Sequence, residues 1–488
     1  MVRQLVIVLL ILVAGGLVLG QSVPGLDCFS IVVGRNASAD GSVLVAHNED
    51  DGGRQLVSIY KVPRLQHGPE EKLILSPGAE LPQAEETFGY LWLEMRGMEF
   101  ADCFLNEWGV VVASDACLSR EDRGELTGGG IGYWLRHVVA QRARTAREAV
   151  KLAGALVEQF GYSSSGRTYV IADTQEGWLL AAVHGKHWVA QRVPDDMVAV
   201  IPNYYTITAV DLADTLNFLG SPDIVAYAQQ RGWYQPERDG PFDFAKAYSK
   251  PSTYVHPSNV QRMWRGVSLL SGRRYTLDDR FPFAFRPKEK VTVRHLMAIL
   301  RDHFEGTVLD KSQGYKRGSP HRTGDHTICA PSTQFGFVAQ LRSWLPVSMG
   351  AVLFVAPRRP DVQAFVPWYA GVESVPEGYA VGDYQTALRE HSSVPRREGL
   401  TVQNNAFMAF ETLADKVDAD FARHLPLVRK LWDPVEEDIF RVQEAFEREC
   451  LAVWKESPAT GQKMLTQTTS ALALKVWKLT RGLLEQME

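Results

Sequence analysis

A surplus of one charge is almost missing from this sequence: 52 Lys and Arg stand against 57 Asp and Glu, a formal net charge of -5 over 488 residues. Such a balance draws neither nucleic acid nor an anionic membrane, so neither is expected as a stable partner. Cysteine is scarce, five in all. That is too few for a disulfide scaffold, and a chain of this length buries a large core without staples. Internal repeats and low-complexity linkers are absent, which excludes solenoids and strings of tethered modules. Several chemical signatures are also missing. There is no G-x-S-x-G elbow, and Gly128-Gly129-Gly130 lacks the Lys-Ser/Thr of a phosphate loop. No H-E-x-x-H occurs, and the cluster from His47 to Asp51 lacks the ligand spacing of a calcium loop. His321, Asp325 and His326 carry metal-ligand chemistry without a recognised spacing, so neither a metal nor a cofactor is expected.

What is present begins at the N-terminus. Residues 1–20 hold one basic residue, an apolar run and a small-residue end, the pattern of a signal peptide. The run is shorter than the roughly 20 residues of a spanning helix, and glycines interrupt it, so a membrane anchor is the lesser reading. A secreted or periplasmic protein is expected, with 21–27 as a short propeptide and Cys28 heading the mature chain. An odd cysteine count in an exported chain marks one thiol as free. Cys103, Cys117, Cys329 and Cys450 then form two disulfides or none, and Cys103 with Cys117, flanking a predicted hairpin, is the first pair to consider.

From Cys28 an apolar run reaches Gly34, a polar turn with Asp40-Gly41 follows, and a second apolar run ends at His47-Asn48-Glu49-Asp50. This predicts a β-hairpin with its chemistry at one end. Further strands are expected at 56–62, 73–75, 88–95, 103–105, 110–113, 168–172, 177–183, 187–193, 198–207, 347–355 and 364–366. Helices are expected at 133–142, after a Thr145/Glu148 capping box, at 222–231 with Ser221 as cap, at 243–249, at 291–303, from Asp433-Pro434 onward, and at 463–484. Strands interleaved with helices, then a helical tail, predict an α+β fold.

Cys28 carries the chemistry. A thiol of pKa ~8.5 is only a few per cent thiolate at neutral pH and needs a base. If the preceding segment is removed, Cys28 gains an α-amine titrating near ~7.7–8.0 that accepts the thiol proton without a separate histidine. Asp50 would orient that amine, an arginine would favour the thiolate, and an asparagine with backbone N–H groups would hold an oxyanion. The bland alternative is that Cys28 is a small buried hydrophobe.

The order of motifs resembles the cysteine-nucleophile dipeptidases, a secernin-related family of N-terminal-nucleophile hydrolases. The match runs through the opening hairpin, Asn106-Glu107-Trp108-Gly109, Thr145-Ala146-Arg147-Glu148-Ala149, Ile171-Ala172-Asp173, Arg192-Val193-Pro194-Asp195-Asp196 and Phe365-Val366-Pro367-Trp368-Tyr369. The resemblance implies a four-layer αββα sandwich over 28–420 with the helices of 421–488 packed on it. It implies Cys28 as nucleophile and amine base, Asp50 beside it, Asn203 lining the site, and Arg262 as the distal arginine in preference to Arg265. His47, Asn48, Glu49 and Arg265 are expected at the substrate. The family's usual Arg-Asn-Glu-Asp is altered here, with His47 in place of a fixed charge, so pH dependence is expected. The position of a second oxyanion donor falls at 114–116, where no asparagine stands. A dipeptide is the expected substrate, and self-association is open. The alternatives are an acylase acting on other N-acyl amides and a noncatalytic binding protein of the same fold.

Overall fold

The computed structural model describes residues 28–53, 55–324, 326–394 and 396–487. The expected signal peptide and propeptide lie outside the described residues. Two antiparallel sheets are stacked between helical layers. The six-stranded sheet has the spatial order Val198–Ile201, Phe29–Val33, Val43–Asp50, Thr333–Leu341, Ala351–Pro357, Val366–Tyr369. The eight-stranded sheet runs Phe218–Gly220, Trp188–Val193, Gly177–Gly185, Tyr162–Ala172, Val111–Ala116, Cys103–Asn106, Tyr90–Met95, Val57–Val62. This is the αββα sandwich.

The first hairpin forms from the two apolar runs, both strands buried on both faces, with Phe29 opposite Asn48 and Ser30 opposite His47. Gly41, at φ 87°, makes the turn that a side chain would strain. The strand of Cys28 is interior, paired with Val198–Ile201 on one side and Val43–Asp50 on the other. Successive residues face opposite layers. The Phe29 ring lies against Gly266 of helix Pro257–Ser271, where an added Cβ would stand 2.8 Å from the ring. Ser30 and Val32 point the other way, into the space between the sheets, where they reach Asp115 and Gly177.

On the eight-stranded sheet, helices Trp134–Arg142 and Ala146–Phe160 bury an apolar face against its strands. Thr145 caps the second through the Glu148 N–H, and Gly161 ends it at φ 80°. The Glu148 carboxylate reaches the N–H of Arg144 rather than Thr145, so the capping box closes one residue early. The six-stranded sheet is covered by Pro257–Ser271, Val293–Leu300 and the helices Ala406–Ala419, Phe421–Glu456 and Pro458–Gln486, which share one apolar core with it.

Some expectations are corrected. Asp433-Pro434 does not start a helix: both Pro426 and Pro434 lie inside Phe421–Glu456, which begins at the Asp420 cap. Ser221 does not cap the helix Ile224–Gln230; its hydroxyl accepts from the Trp188 N–H. The strand expected at 198–207 stops at Ile201, and 347–350 is a helical turn before the strand Ala351–Pro357. The strand Thr333–Leu341 and the helix Pro257–Ser271 were not expected at all. All five cysteines are free thiols. Phe104 pairs with Val112, so Cys103 stands level with Ala113 and Cys117 lies four residues further along. At about 3.3 Å per residue that gap is far beyond disulfide reach.

Candidate active site

The edge of the sheet interface at Cys28 gathers its groups from both sheets. The Cys28 thiol is buried and lies 3.5 Å from Glu49 Oε1 and 3.4 Å from the Asp50 carbonyl oxygen. Behind the strand, Arg262 donates from Nη1 to the Cys28 carbonyl oxygen at 2.7 Å and from Nη2 to Asn203 Oδ1 at 2.9 Å and Asn259 Oδ1 at 2.8 Å. Asn203 in turn donates to the Ala116 carbonyl at 3.0 Å, tying the two sheets together. A helix supplies Arg262, a loop after the edge strand supplies Asn203, and the interior strand supplies Cys28.

A line of hydrogen bonds leads inward from the thiol. Glu49 Oε2 is 3.0 Å from His47 Nε2, His47 Nδ1 is 2.8 Å from Ser30 Oγ, and Ser30 donates to Asp115 Oδ2 at 2.7 Å. All four side chains are buried. Burial holds His47 down to about 4, so it is neutral at neutral pH. Burial also pushes Glu49 well up, against the pull of Arg136 and Arg167, and Asp115 up to about 7. The Cys28 thiol is raised by burial first and then by the negative charges of Glu49, Asp115 and Asp50. Because the Ser30 hydroxyl spends its proton on Asp115, the neutral His47 donates to Ser30 from Nδ1 and keeps its Nε2 lone pair toward Glu49. Two buried guanidinium groups form the opposite wall. Arg136 and Arg167 both donate to Ser114 Oγ, at 2.9 and 3.2 Å.

The structure thus brings together Cys28, Glu49, His47, Asp50, Asn203 and Arg262. It puts two expected substrate contacts elsewhere. Asn48 faces the helical layer and donates to the carbonyls of Leu300 and Ile328 at 2.9 and 2.8 Å. Arg265 is held in a two-pronged pair with Asp302 and by the Glu305 carbonyl. Residues 114–116 supply Asp115 and the Ala116 carbonyl, an acceptor rather than an oxyanion donor. Ser30, Asp115, Arg136, Arg167 and Asn259 were missed. Arg136 had a signal, a cation within the otherwise apolar face of its helix. Ser30 had none, being a small polar residue in an apolar strand. A cavity of about 640 Å³ is lined by Tyr204, Tyr254, Met263, Lys246, Asp243 and Arg280 among others, next in sequence to Asn203 and Arg262, but not by Cys28. Among the described residues, no helix is long and apolar enough to cross a membrane.

Two stacked sheets between helices, with a cysteine at the head of an interior strand, define the class: an N-terminal-nucleophile hydrolase fold. The model of peptidase family C69 matches residues 110–432. A probable dipeptidase of Salmonella dublin is 27% identical over 381 residues, covering 75% of this chain and 86% of that protein. A dipeptidase of Bifidobacterium longum is 28% identical over 391 residues, covering 72% of each. Among solved structures, a mutant of the conjugated bile acid hydrolase from Clostridium perfringens aligns with a TM-score of 0.33 at 15% identity, covering 68% of this chain and 89% of that one. The chain belongs to peptidase family C69, and it is a cysteine-type hydrolase.

Proposed function

We propose that this chain is the precursor of an exported cysteine dipeptidase. Removal of residues 1–27 frees the α-amine of Cys28, which accepts the thiol proton. The thiolate attacks the amide carbonyl of a dipeptide, and Asn203 with backbone N–H groups steadies the oxyanion. The proton passes to the leaving amine, a thioester remains, and water clears it. Asp50, beside Cys28, orients the amine. Arg262 fixes the Cys28 backbone from behind, so the nucleophile is positioned before substrate arrives.

The observation that carries this reading is the meeting of Cys28 with Glu49 and the Asp50 carbonyl at the thiol and with the Arg262–Asn203 pair at its backbone. The names of the relatives favour dipeptides over other amides.

The test is N-terminal sequencing of purified protein together with dipeptide and acyl-amide hydrolysis. A mature chain starting at Cys28, active on dipeptides and inactive as Cys28→Ala, is expected. Full activity in a chain starting at Gln21 excludes the amine as base, and preference for acyl-amides reassigns the substrate.

A further inference from the structure

Four donor side chains from separate segments converge in the interior. They are His303, after helix Val293–Leu300; His321, in the turn Pro320–Arg322; Cys329; and Asp361, after strand Ala351–Pro357. One donor atom of each lies within 4.8 Å of all the others. The histidine side chains are 1% exposed and that of Asp361 2%, and Cys329 is fully buried. Nε2 of both histidines and both carboxylate oxygens of Asp361 have no hydrogen-bond partner among the described residues. Asp361 Oδ2 stands 3.6 Å from His303 Nε2 and 3.8 Å from His321 Nε2. Those gaps are too long for hydrogen bonds. They are close to the edge of a tetrahedron whose corners lie 2.0–2.3 Å from an ion, about 3.3–3.7 Å.

The outer nitrogens are already held. His303 Nδ1 is 3.0 Å from Glu305 Oε1, and His321 Nδ1 is 2.8 Å from Asp418 Oδ1. A carboxylate on Nδ1 is the usual outer shell of a metal-bound histidine, and at His303 it holds the proton on Nδ1 and leaves the Nε2 lone pair toward Asp361. Arg359 flanks the group, with Nε 3.5 Å from Asp361 Oδ1 and Nη1 2.7 Å from His321 Nδ1 and 2.5 Å from Asp418 Oδ2. Ion pairing of Asp361 with Arg359, His303 and His321 at 3.5–3.8 Å still leaves both Nε2 atoms and Asp361 Oδ2 buried without a hydrogen bond, which folded proteins avoid.

We propose that His303, His321, Cys329 and Asp361 bind one divalent transition-metal ion, zinc by their donor set. Two imidazoles, a thiolate and a carboxylate suit zinc rather than the hard magnesium or calcium ions. Four protein ligands in a buried position make the site structural rather than catalytic. On binding, the Cys329 thiol releases its proton to solvent and the sulfur bonds the metal. The role fits the chain around it. Apart from Pro320–Arg322, the described residues of 301–332 form neither helix nor strand. A stretch that long inside a domain needs another anchor. Phe304, Gln313 and Tyr315 within it adopt φ of 67°, 52° and 68°. The ion ties both ends of this stretch, at His303 and Cys329, to Asp361. Its last residues then meet the active-site strand, where the Asp51 N–H donates to the Ser332 carbonyl and Thr333 pairs with Asp50. His321 thus has companions other than Asp325, which lies outside the described residues, and His326. The proposal departs from the expectation of no metal.

The experiment uses the full chain, purified without chelator, with metal counted by mass spectrometry of the elements. A chelated sample is then reloaded with cobalt(II). About one zinc per chain is expected, with a thiolate-to-cobalt charge-transfer band after reloading and a Tm lowered by chelation. Folded Cys329→Ser loses the band, and folded His303→Ala loses most of the metal, whereas Cys28→Ser keeps both. If those two ligand variants fail to fold, the wild-type metal count and cobalt band decide. Folded wild type that carries almost no metal and takes up no cobalt overturns the proposal. So does metal fully retained in folded Cys329→Ser and His303→Ala.

Discussion

The carbonyl oxygen of Cys28 accepts a hydrogen bond from Arg262 Nη1 at 2.7 Å, across 234 positions of sequence. The same guanidinium holds Asn203 and Asn259, and it is fully buried. Lysine keeps the charge but not the fork. Arg262→Lys is expected to lose about 3 kcal/mol or more of stability, with kcat on dipeptides down at least about a hundredfold in the folded fraction. Urea unfolding and steady-state kinetics check this. A variant with unchanged kcat removes Arg262 from the positioning of Cys28.

Asp115 gives a pH signature. Burial raises it to about 7 in the folded protein, against about 3.9 when unfolded. Below about pH 4 both states hold the proton, so the group has no effect. As pH rises from there to about 7 the unfolded chain releases it first, so the stability contributed by this group falls and then levels off. Asp115→Asn removes that fall. Between pH 5 and 8 the wild type should lose about 2–3 kcal/mol relative to the variant. Unfolding curves at the two pH values measure it, and parallel curves reject it.

Asn48 separates a structural from a substrate role. Its amide bonds two main-chain carbonyls in the helical layer. Asn48→Ala leaves both without their donor and should destabilise the protein by about 2–4 kcal/mol. KM of the folded fraction should stay within about twofold of wild type, because no uniform binding is removed. A large rise in KM without loss of stability restores Asn48 to the substrate.

Cys28 reactivity should report processing. In the full-length chain the thiol is buried and its pKa is raised by burial and by neighbouring acids. Iodoacetamide should label Cys28 at least about tenfold faster in a chain beginning at Cys28 than in the full-length chain. Peptide mass mapping distinguishes Cys28 from the other four thiols. Equal rates mean that the preceding segment does not shield Cys28.

The legible parts were those where local pattern and packing agree. The hairpin of Cys28 shows two apolar runs joined by a turn with Asp40-Gly41, and those two runs pair as a hairpin. Helix Ala146–Phe160 carried both its cap and its stop in the sequence. The strand Thr333–Leu341 was missed because Gln334, Gly336 and Gln340 interrupt the apolar run by which a strand buried on both faces is recognised. The start of helix Phe421–Glu456 was misplaced because Asp433-Pro434, inside the packed helix, looks like a cap followed by a first-turn proline. In the site, Cys28 and Glu49 were visible as neighbours of one hairpin. Ser30 with Asp115, and His303 with Asp361, meet only through the stacking of sheets or the folding of a long loop, which spacing does not encode.

The strand that follows Cys28 is bordered on both sides by other strands. A new chain end created there would not fray as ordinary termini do. Cleavage would leave the amine and sulfur clamped in register by their neighbours, so the proposed maturation would change the covalent state of the site while asking for almost no rearrangement of the scaffold around it.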